Sequence, residues 1–178
     1  MSQKILYGDD FIFTSRNSTG TISISAGAGE VLEINGSAFN YSGMYMTDAS
    51  QLFGLIATFV ALDIPTTIDD HNSNFTLTSA GKLTYTGVKA GTFVVYYNIS
   101  QSGTSGDVIT MGTAINGGAP NNASLTSVTL PAASAVINAT HMSHLSMNPG
   151  DFVMIVAKNS TGIHLSTFTK FSISIFSV

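Results

Sequence analysis

The chain has 178 residues, of which 9% are charged, with a formal net charge of −4 and only six Lys and Arg residues. This length suits one domain with a short appendage, and its charge content is far below the roughly 25% of typical soluble domains. The scarcity of basic residues argues against nucleic-acid binding. With no cysteine in the chain, disulfides, thiolate metal sites and cysteine nucleophiles are excluded.

The sequence predicts neither a secretory leader nor a membrane anchor. Residues 1–8 lack the apolar core of a signal peptide, so we expect no secretory leader. The longest apolar run, residues 52–62, is too short to span a bilayer. We therefore predict no membrane insertion.

The N-terminal part of the chain has its own pattern. Residues 21–25 and 31–35 alternate between apolar and polar side chains and are joined by the Gly-rich residues 26–29. Two such segments around a glycine turn predict a β-hairpin. We interpret residues 1–42 as an anchoring arm or small β-hairpin subdomain, followed by the main domain at residues 43–178.

Alternation with period two recurs through the main domain, without a competing helical pattern. Residues 52–62 fit a strand or a helical face, and their Thr and Val content together with the following Pro65 favours a strand. Further strands are predicted at residues 83–86, 92–100, 108–115, 124–130, 135–140, 152–158 and 171–178. Eight or more short strands bounded by Gly, Pro or Asn predict an all-β, antiparallel sandwich, most simply a jelly roll.

The strand at residues 93–99 is apolar on both of its faces. One face carries Phe93, Val95, Tyr97 and Ile99, and the other carries Val94, Tyr96 and Asn98. Because an antiparallel strand usually has one face in water, burial on both sides is expected here. Residues 152–157 share this property. A small sandwich commonly covers the second face with another subunit, so the pattern favours assembly over catalysis.

A turn is predicted immediately before residues 152–157. Pro149 fixes its own φ, Gly150 permits a positive φ, and together they indicate a type II turn. We expect Asp151 to close this turn by accepting backbone N–H groups. These three residues are interpreted as structural.

Two groups of side chains have the composition of metal ligands but lack the required pattern. His141 and His144 are three residues apart, and on a strand this spacing directs them to opposite faces. The segment around and after Pro65 contains Asp63, Asp69, Asp70 and His71. This segment does not have the ligand spacing of a calcium-binding loop. We predict no metal site and no cofactor.

The sequence also lacks the patterns of common hydrolases. No Gly-x-Ser-x-Gly nucleophile elbow is present, and Glu30 and Glu33 are the only glutamates. Both precede the main domain, so they are unsuited to the paired carboxylates of a glycosidase. We predict that the protein is not an enzyme.

Several short motifs give the main domain a family resemblance. Leu83-Thr-Tyr-Thr-Gly87, then Gly91-Thr-Phe-Val-Val-Tyr-Tyr97, Ile115-Asn-Gly-Gly118 and Leu145-Ser-Met-Asn-Pro-Gly-Asp-Phe-Val153 occur in the order and spacing of C1q/TNF-like jelly rolls. Gly43-Met-Tyr-Met46 is similar to the opening strand of such domains. The run resembles the viral and bacteriophage members in particular, and it covers residues 43–178.

The resemblance implies a homotrimer whose inner sheets pack around a threefold axis. The residues expected to contribute to this interface are Tyr85, Phe93, Tyr96, Tyr97, Phe152 and Met154. From the residues alone, the aromatic side chains among them fit the sandwich core as well as an interface, because large aromatic residues dominate both.

For viral members, the resemblance further implies a role on the virion surface. We therefore expect a capsid decoration, minor capsid or head-fibre protein on the capsid exterior, bound to a capsid or fibre-base protein through its arm. One alternative is a fibre tip that recognises a host receptor or glycan through the loops at residues 63–74 and 117–122. Another is a cellular, extracellular C1q-like binding domain.

Overall fold

The computed structural model describes residues 41–68 and 74–178. Over these residues the chain consists of β-strands and one short 3-10 helix, Asn122–Ser124. The strands are β1 (Tyr41–Met46), β2 (Gln51–Leu55), β3 (Val60–Ala61), β4 (Thr66–Ile68), β5 (Phe75–Ser79), β6 (Lys82–Tyr85), β7 (Gly91–Ser102), β8 (Val108–Ile115), β9 (Thr126–Thr129), β10 (Ile137–Met147), β11 (Phe152–Asn159) and β12 (His164–Ser177). The hairpin predicted at residues 21–35 lies outside the described residues. In the described part, no helix has the length and apolar character needed to cross a membrane.

The strands form two antiparallel sheets, which confirms the predicted sandwich. The first sheet has the order β10-β7-β12-β1-β4, with β2 also paired to β12. The second sheet has the order β5-β6-β11-β8-β9, with β3 also paired to β11. Sequence neighbours therefore often lie in different sheets, as the crossing connections of a Greek-key sandwich require.

The structure extends or divides several predicted strands. The segment at residues 52–62 is extended rather than helical, but it is split into β2 in the first sheet and β3 in the second. Strand β10 continues through both histidines to Met147, and β12 begins at His164 rather than at residue 171. The polar residues within β10 and β12 weakened the alternation on which the prediction relied.

The core lies between the inner faces of the two sheets. Alternate residues of β7 point into it, and Phe93, Val95, Tyr97 and Ile99 are each at most 1% exposed. Tyr97 also connects the two layers, because its hydroxyl donates to the carbonyls of Met111 (3.3 Å) and Ser124 (3.0 Å). Burial raises the pKa of the Tyr97 phenol, so it stays a neutral donor.

The motif Leu-Thr-Tyr-Thr-Gly has a packing explanation. Tyr85 is buried against Phe75 and Phe93, and its hydroxyl donates to the carbonyl of Lys89 at 2.9 Å. Gly87 lies directly over this ring, since a Cβ added there would come within 2.1 Å of the Tyr85 hydroxyl. A glycine two residues after the tyrosine therefore allows the chain to fold back over the aromatic ring.

The outer face of the second sheet is partly covered by the chain itself. Met154 and Val156 on β11 pack with Phe59 and Phe152 in a small cluster separate from the main core. The ammonium of Lys158 lies 4.8 Å from the centroid of Phe59. The connection between β2 and β3 thus closes the second apolar face of β11 within one subunit.

A buried carboxylate joins two loops at one end of the sandwich. Asp107 is 1% exposed, and its Oδ1 lies 2.6 Å from His164 Nδ1 and 3.0 Å from Thr161 Oγ1. Burial acts to raise the pKa of Asp107, but the hydrogen bonds from His164 and Thr161, with the charge of His164, outweigh it and lower this pKa. The network connects the β7–β8 loop to the β11–β12 loop.

We expect Tyr97→Phe to lower the free energy of unfolding by about 1–3 kcal/mol, because it removes a buried donor from two carbonyl groups. Urea unfolding at neutral pH measures the change. Tyr96→Phe, one residue away on the outer face, serves as the matched control and should leave the midpoint almost unchanged. Equal effects of the two substitutions would contradict the assigned role of the Tyr97 hydroxyl.

We expect Asp107→Asn to lower the free energy of unfolding at pH 7 by about 1–3 kcal/mol, since the loops lose a charged acceptor. The folded pKa of Asp107 is lowered, so its stabilisation is present above the unfolded value of about 3.9 and is lost as pH falls through the folded value.

Urea unfolding from neutral to strongly acidic pH measures this contribution. The difference between wild type and Asp107→Asn should therefore shrink below about pH 4. Asp63→Asn, at an exposed carboxylate paired with Lys82, is the control. A difference that stays constant with pH would contradict the proposed contribution of Asp107.

Candidate interaction surface

The outer face of the first sheet is the face turned away from the core. Its central row is fixed by the strand registers: Ser174 of β12 lies opposite Tyr96 of β7, and Tyr96 lies opposite Met142 of β10. Because side chains alternate along a strand, this face also carries Val94 and Asn98 of β7. It is assembled from strands that are far apart in sequence.

Large exposed apolar side chains are concentrated on this face. The described part of the chain has nine of them, and the registers place five on the outer face of the first sheet. These outer-face apolar residues are Tyr45 (53% exposed), Leu52 (58%), Tyr96 (37%), Met142 (62%) and Leu165 (61%). Concentration of exposed apolar surface on one face marks an interaction site in soluble proteins.

The remaining side chains on this face are mostly small and neutral. Ser172 and Ser174 of β12 lie beside Asn98 and Tyr96 of β7, and Thr140 of β10 lies on the other side of Asn98. Such residues lose little side-chain entropy on burial and do not carry a charge that must be desolvated. The face is therefore chemically suited to close contact with another protein surface.

The six residues predicted for the trimer interface occupy three different places. Tyr85, Phe93 and Tyr97 are buried in the main core. Met154 and Phe152 belong to the small cluster on the outer face of the second sheet. Tyr96 is the only one of the six on the outer face of the first sheet. Tyr45 and Met142 lie on the same face and are more exposed than Tyr96, but they were not predicted from the sequence.

The turn at residues 148–151 is held by the Asp151 side chain. Gly150 has φ +90°, and the Asp151 N–H donates to the Asn148 carbonyl at 3.0 Å. The Asp151 carboxylate accepts from the Asn148 N–H at 2.7 Å and from Asn116 Nδ2 at 2.6 Å. These bonds, from the Asn148 backbone first, lower the pKa of Asp151. The turn thereby connects to the loop after β8.

The two ends of the sandwich are distinguished by where β1 begins. Tyr41 pairs with Phe176, so β1 begins at the end of the sandwich where β12 finishes. The loop at residues 117–122 lies at this same end, because Asn121 Nδ2 donates to the carbonyl of His144. The loops at residues 103–107, 130–136 and 160–163 lie at the opposite end. One of the loops considered for a receptor-binding tip therefore lies at the end where β1 begins.

The candidate metal ligands do not converge within the described residues. His141 Nε2 lies 2.7 Å from the Ala123 carbonyl, so it carries the proton, and Nδ1 lies 3.1 Å from Thr126 Oγ1. His144 is exposed on the outer face of β10. Asp63 pairs with Lys82 at 3.4 Å. Over residues 41–68 and 74–178, no three His, Asp or Glu side chains come together as a metal site. Asp69, Asp70 and His71 lie outside the described residues.

Comparison with known proteins identifies the fold. No protein-family model matches the chain, and no curated protein matches it either. Among solved structures, the chain is similar to the Eiger TNF from S. frugiperda, with 12% sequence identity and a TM-score of 0.59, over 78% of this chain and 93% of that one. It is also similar to the PRD1 vertex protein P5, with 16% identity and a TM-score of 0.47, over 80% and 99% of the two chains. The likeness to the Eiger TNF shows that the chain has the TNF-like jelly-roll fold.

Proposed function

We propose that this chain is a non-enzymatic structural protein of a virus particle that assembles as a homotrimer through the outer face of the first sheet. The observation that carries the proposal is the concentration of Tyr45, Tyr96 and Met142 on that face. The motifs of the viral jelly rolls in residues 75–153 support the virion assignment. Together they favour a capsid decoration, minor capsid or head-fibre protein on the particle exterior.

The assembly is driven by burial of apolar surface rather than by charge. At roughly 25 cal/mol per Å², an interface of ordinary size offsets the cost of association when its centre is apolar and well packed. Tyr96 and Met142 lie directly opposite each other on the outer face. They are the residues we expect to contribute most to the contact between copies.

The arm fits the role of attaching the trimer to the particle. The arm precedes β1, which begins at the end of the sandwich that carries Tyr41 and Phe176, and in three copies related by a threefold axis these ends all point the same way. We infer that this end faces a capsid or fibre-base protein. The loops at residues 103–107, 130–136 and 160–163 then face away from the particle.

A second candidate function is recognition of a host receptor or glycan by these outward loops. Ile163 is 77% exposed and Val136 is 58% exposed at this end, so apolar side chains are available to a partner. This role requires the same trimer and differs only in what the far end contacts.

We expect wild-type protein at micromolar concentration to sediment with three times the mass of the 18.6 kDa chain. The double substitution Tyr96→Asp with Met142→Asp should convert it to a folded monomer, because association would bury two carboxylates of each copy that stay in water in the monomer. Val88→Asp, in a loop where Val88 is 92% exposed, is the matched control and should stay trimeric. A monomeric wild type would overturn the proposal.

We expect deletion of residues 1–40 to leave the trimer intact and to abolish its binding to virus particles that lack this protein. Co-sedimentation of the purified trimer with such particles measures the binding. If the shortened protein still binds particles, the assigned role of the arm is wrong. Retained binding of the shortened protein to host cells would favour the receptor-binding role of the far end.

A further inference from the structure

A pocket of about 230 Å³ opens on the outer face of the first sheet. It lies where β12 lacks a partner on one side, because β1 pairs with residues 172–176 and β2 pairs with residues 164–168 of that strand. The register of β12 against β7 also shifts between Phe168 and Lys170. Such a bulge redirects side chains at the point where it occurs, and here Lys170 reaches the pocket.

Among the described residues, the only lysine and aspartate side chains that we find on this face line the pocket. Lys170 and Asp48 both line it, and both are exposed. They do not form an ion pair with each other, since the pairs found in the described part are Lys82 with Asp63 and His164 with Asp107. The Asp48 carboxylate accepts from Gln51 Nε2, and Lys170 makes no ion pair there.

Burial of this face would be costly if these charges stayed unpaired. An ammonium or carboxylate removed from water loses several kcal/mol of hydration, which an opposite charge at close range offsets. Each copy offers one cation and one anion on the surface proposed for self-association. The charges therefore balance between copies.

Closed rotational symmetry supplies the pairing. In a ring of identical copies every contact is the same, so at each contact the cation of one copy can meet the anion of the next. The number of possible pairs equals the number of copies, and no charge is left over. A trimer would contain three such pairs around its axis.

We propose that Lys170 of one copy pairs with Asp48 of the adjacent copy, and that this pair sets the register of the subunits in the assembly. The inference rests on the proposed function, because it needs the outer face of the first sheet to be an interface. Burial of the apolar side chains stabilises the contact but does not fix how the two copies are aligned. A charge pair fixes the alignment, because other arrangements would place like charges opposite each other.

Charge reversal tests the pair. In sedimentation velocity over a series of protein concentrations, Lys170→Asp and Asp48→Lys should each raise the concentration for half-dissociation by at least about tenfold. The double variant carrying both substitutions should recover most of that loss, because the opposite charges face each other again. Lys89→Asp, in an exposed loop, makes the same charge change as Lys170→Asp and should have no effect.

The outcomes separate this inference from the proposed function. Weakened single variants with a restored double variant support the pair. A double variant as weak as the sum of the two single effects would overturn it, and so would single variants that associate like wild type. In both of these cases wild type is still a trimer, so only the pair fails. A monomeric wild type would overturn the proposed function together with the pair. Circular dichroism of each variant verifies folding.

Discussion

The fold depends on the pairing of β12 with three other strands. It lies against β7 on one side and against β1 and β2 on the other. Without β12, the pair β10–β7 would therefore not be joined to β1, β4 and β2. Because β12 is the last strand of the chain, its partners are separated from it by as much as the whole domain. The core and the outer face therefore form together, since both are built from this one set of strand pairs.

The two doubly apolar strands show what a sequence pattern determines and what it does not. Both β7 and β11 were predicted to be buried on both sides, and the inner faces of both are in the core. For β11, Phe59 of the β2–β3 connection packs on the second face within the chain; for β7, the second face keeps Tyr96 and its neighbour Met142 exposed. Alternation predicts which residues share a face. The alternation does not reveal the path of residues 56–61, and this path determines whether the second face of β11 is covered.

Local features were the easiest to derive from sequence. The turn at Gly150 was predicted because Pro149 and Gly150 are adjacent in the chain and only a few backbone conformations are compatible with them. By contrast, Asp107 and His164 are 57 residues apart, and the pocket at Lys170 arises from a strand irregularity and from the end of one partner strand. No spacing rule connects such residues, because the sheet topology alone brings them together.

The side-by-side pairing of Tyr41 with Phe176 has a consequence for engineering the protein. A short linker from residue 178 to residue 41 would join neighbouring strands without crossing the domain, and new termini could be opened in the loop at residues 103–107. Such a circular permutant would present a fused peptide at the opposite end of the sandwich. A peptide could therefore be displayed at either end of the sandwich, depending on where the chain is opened.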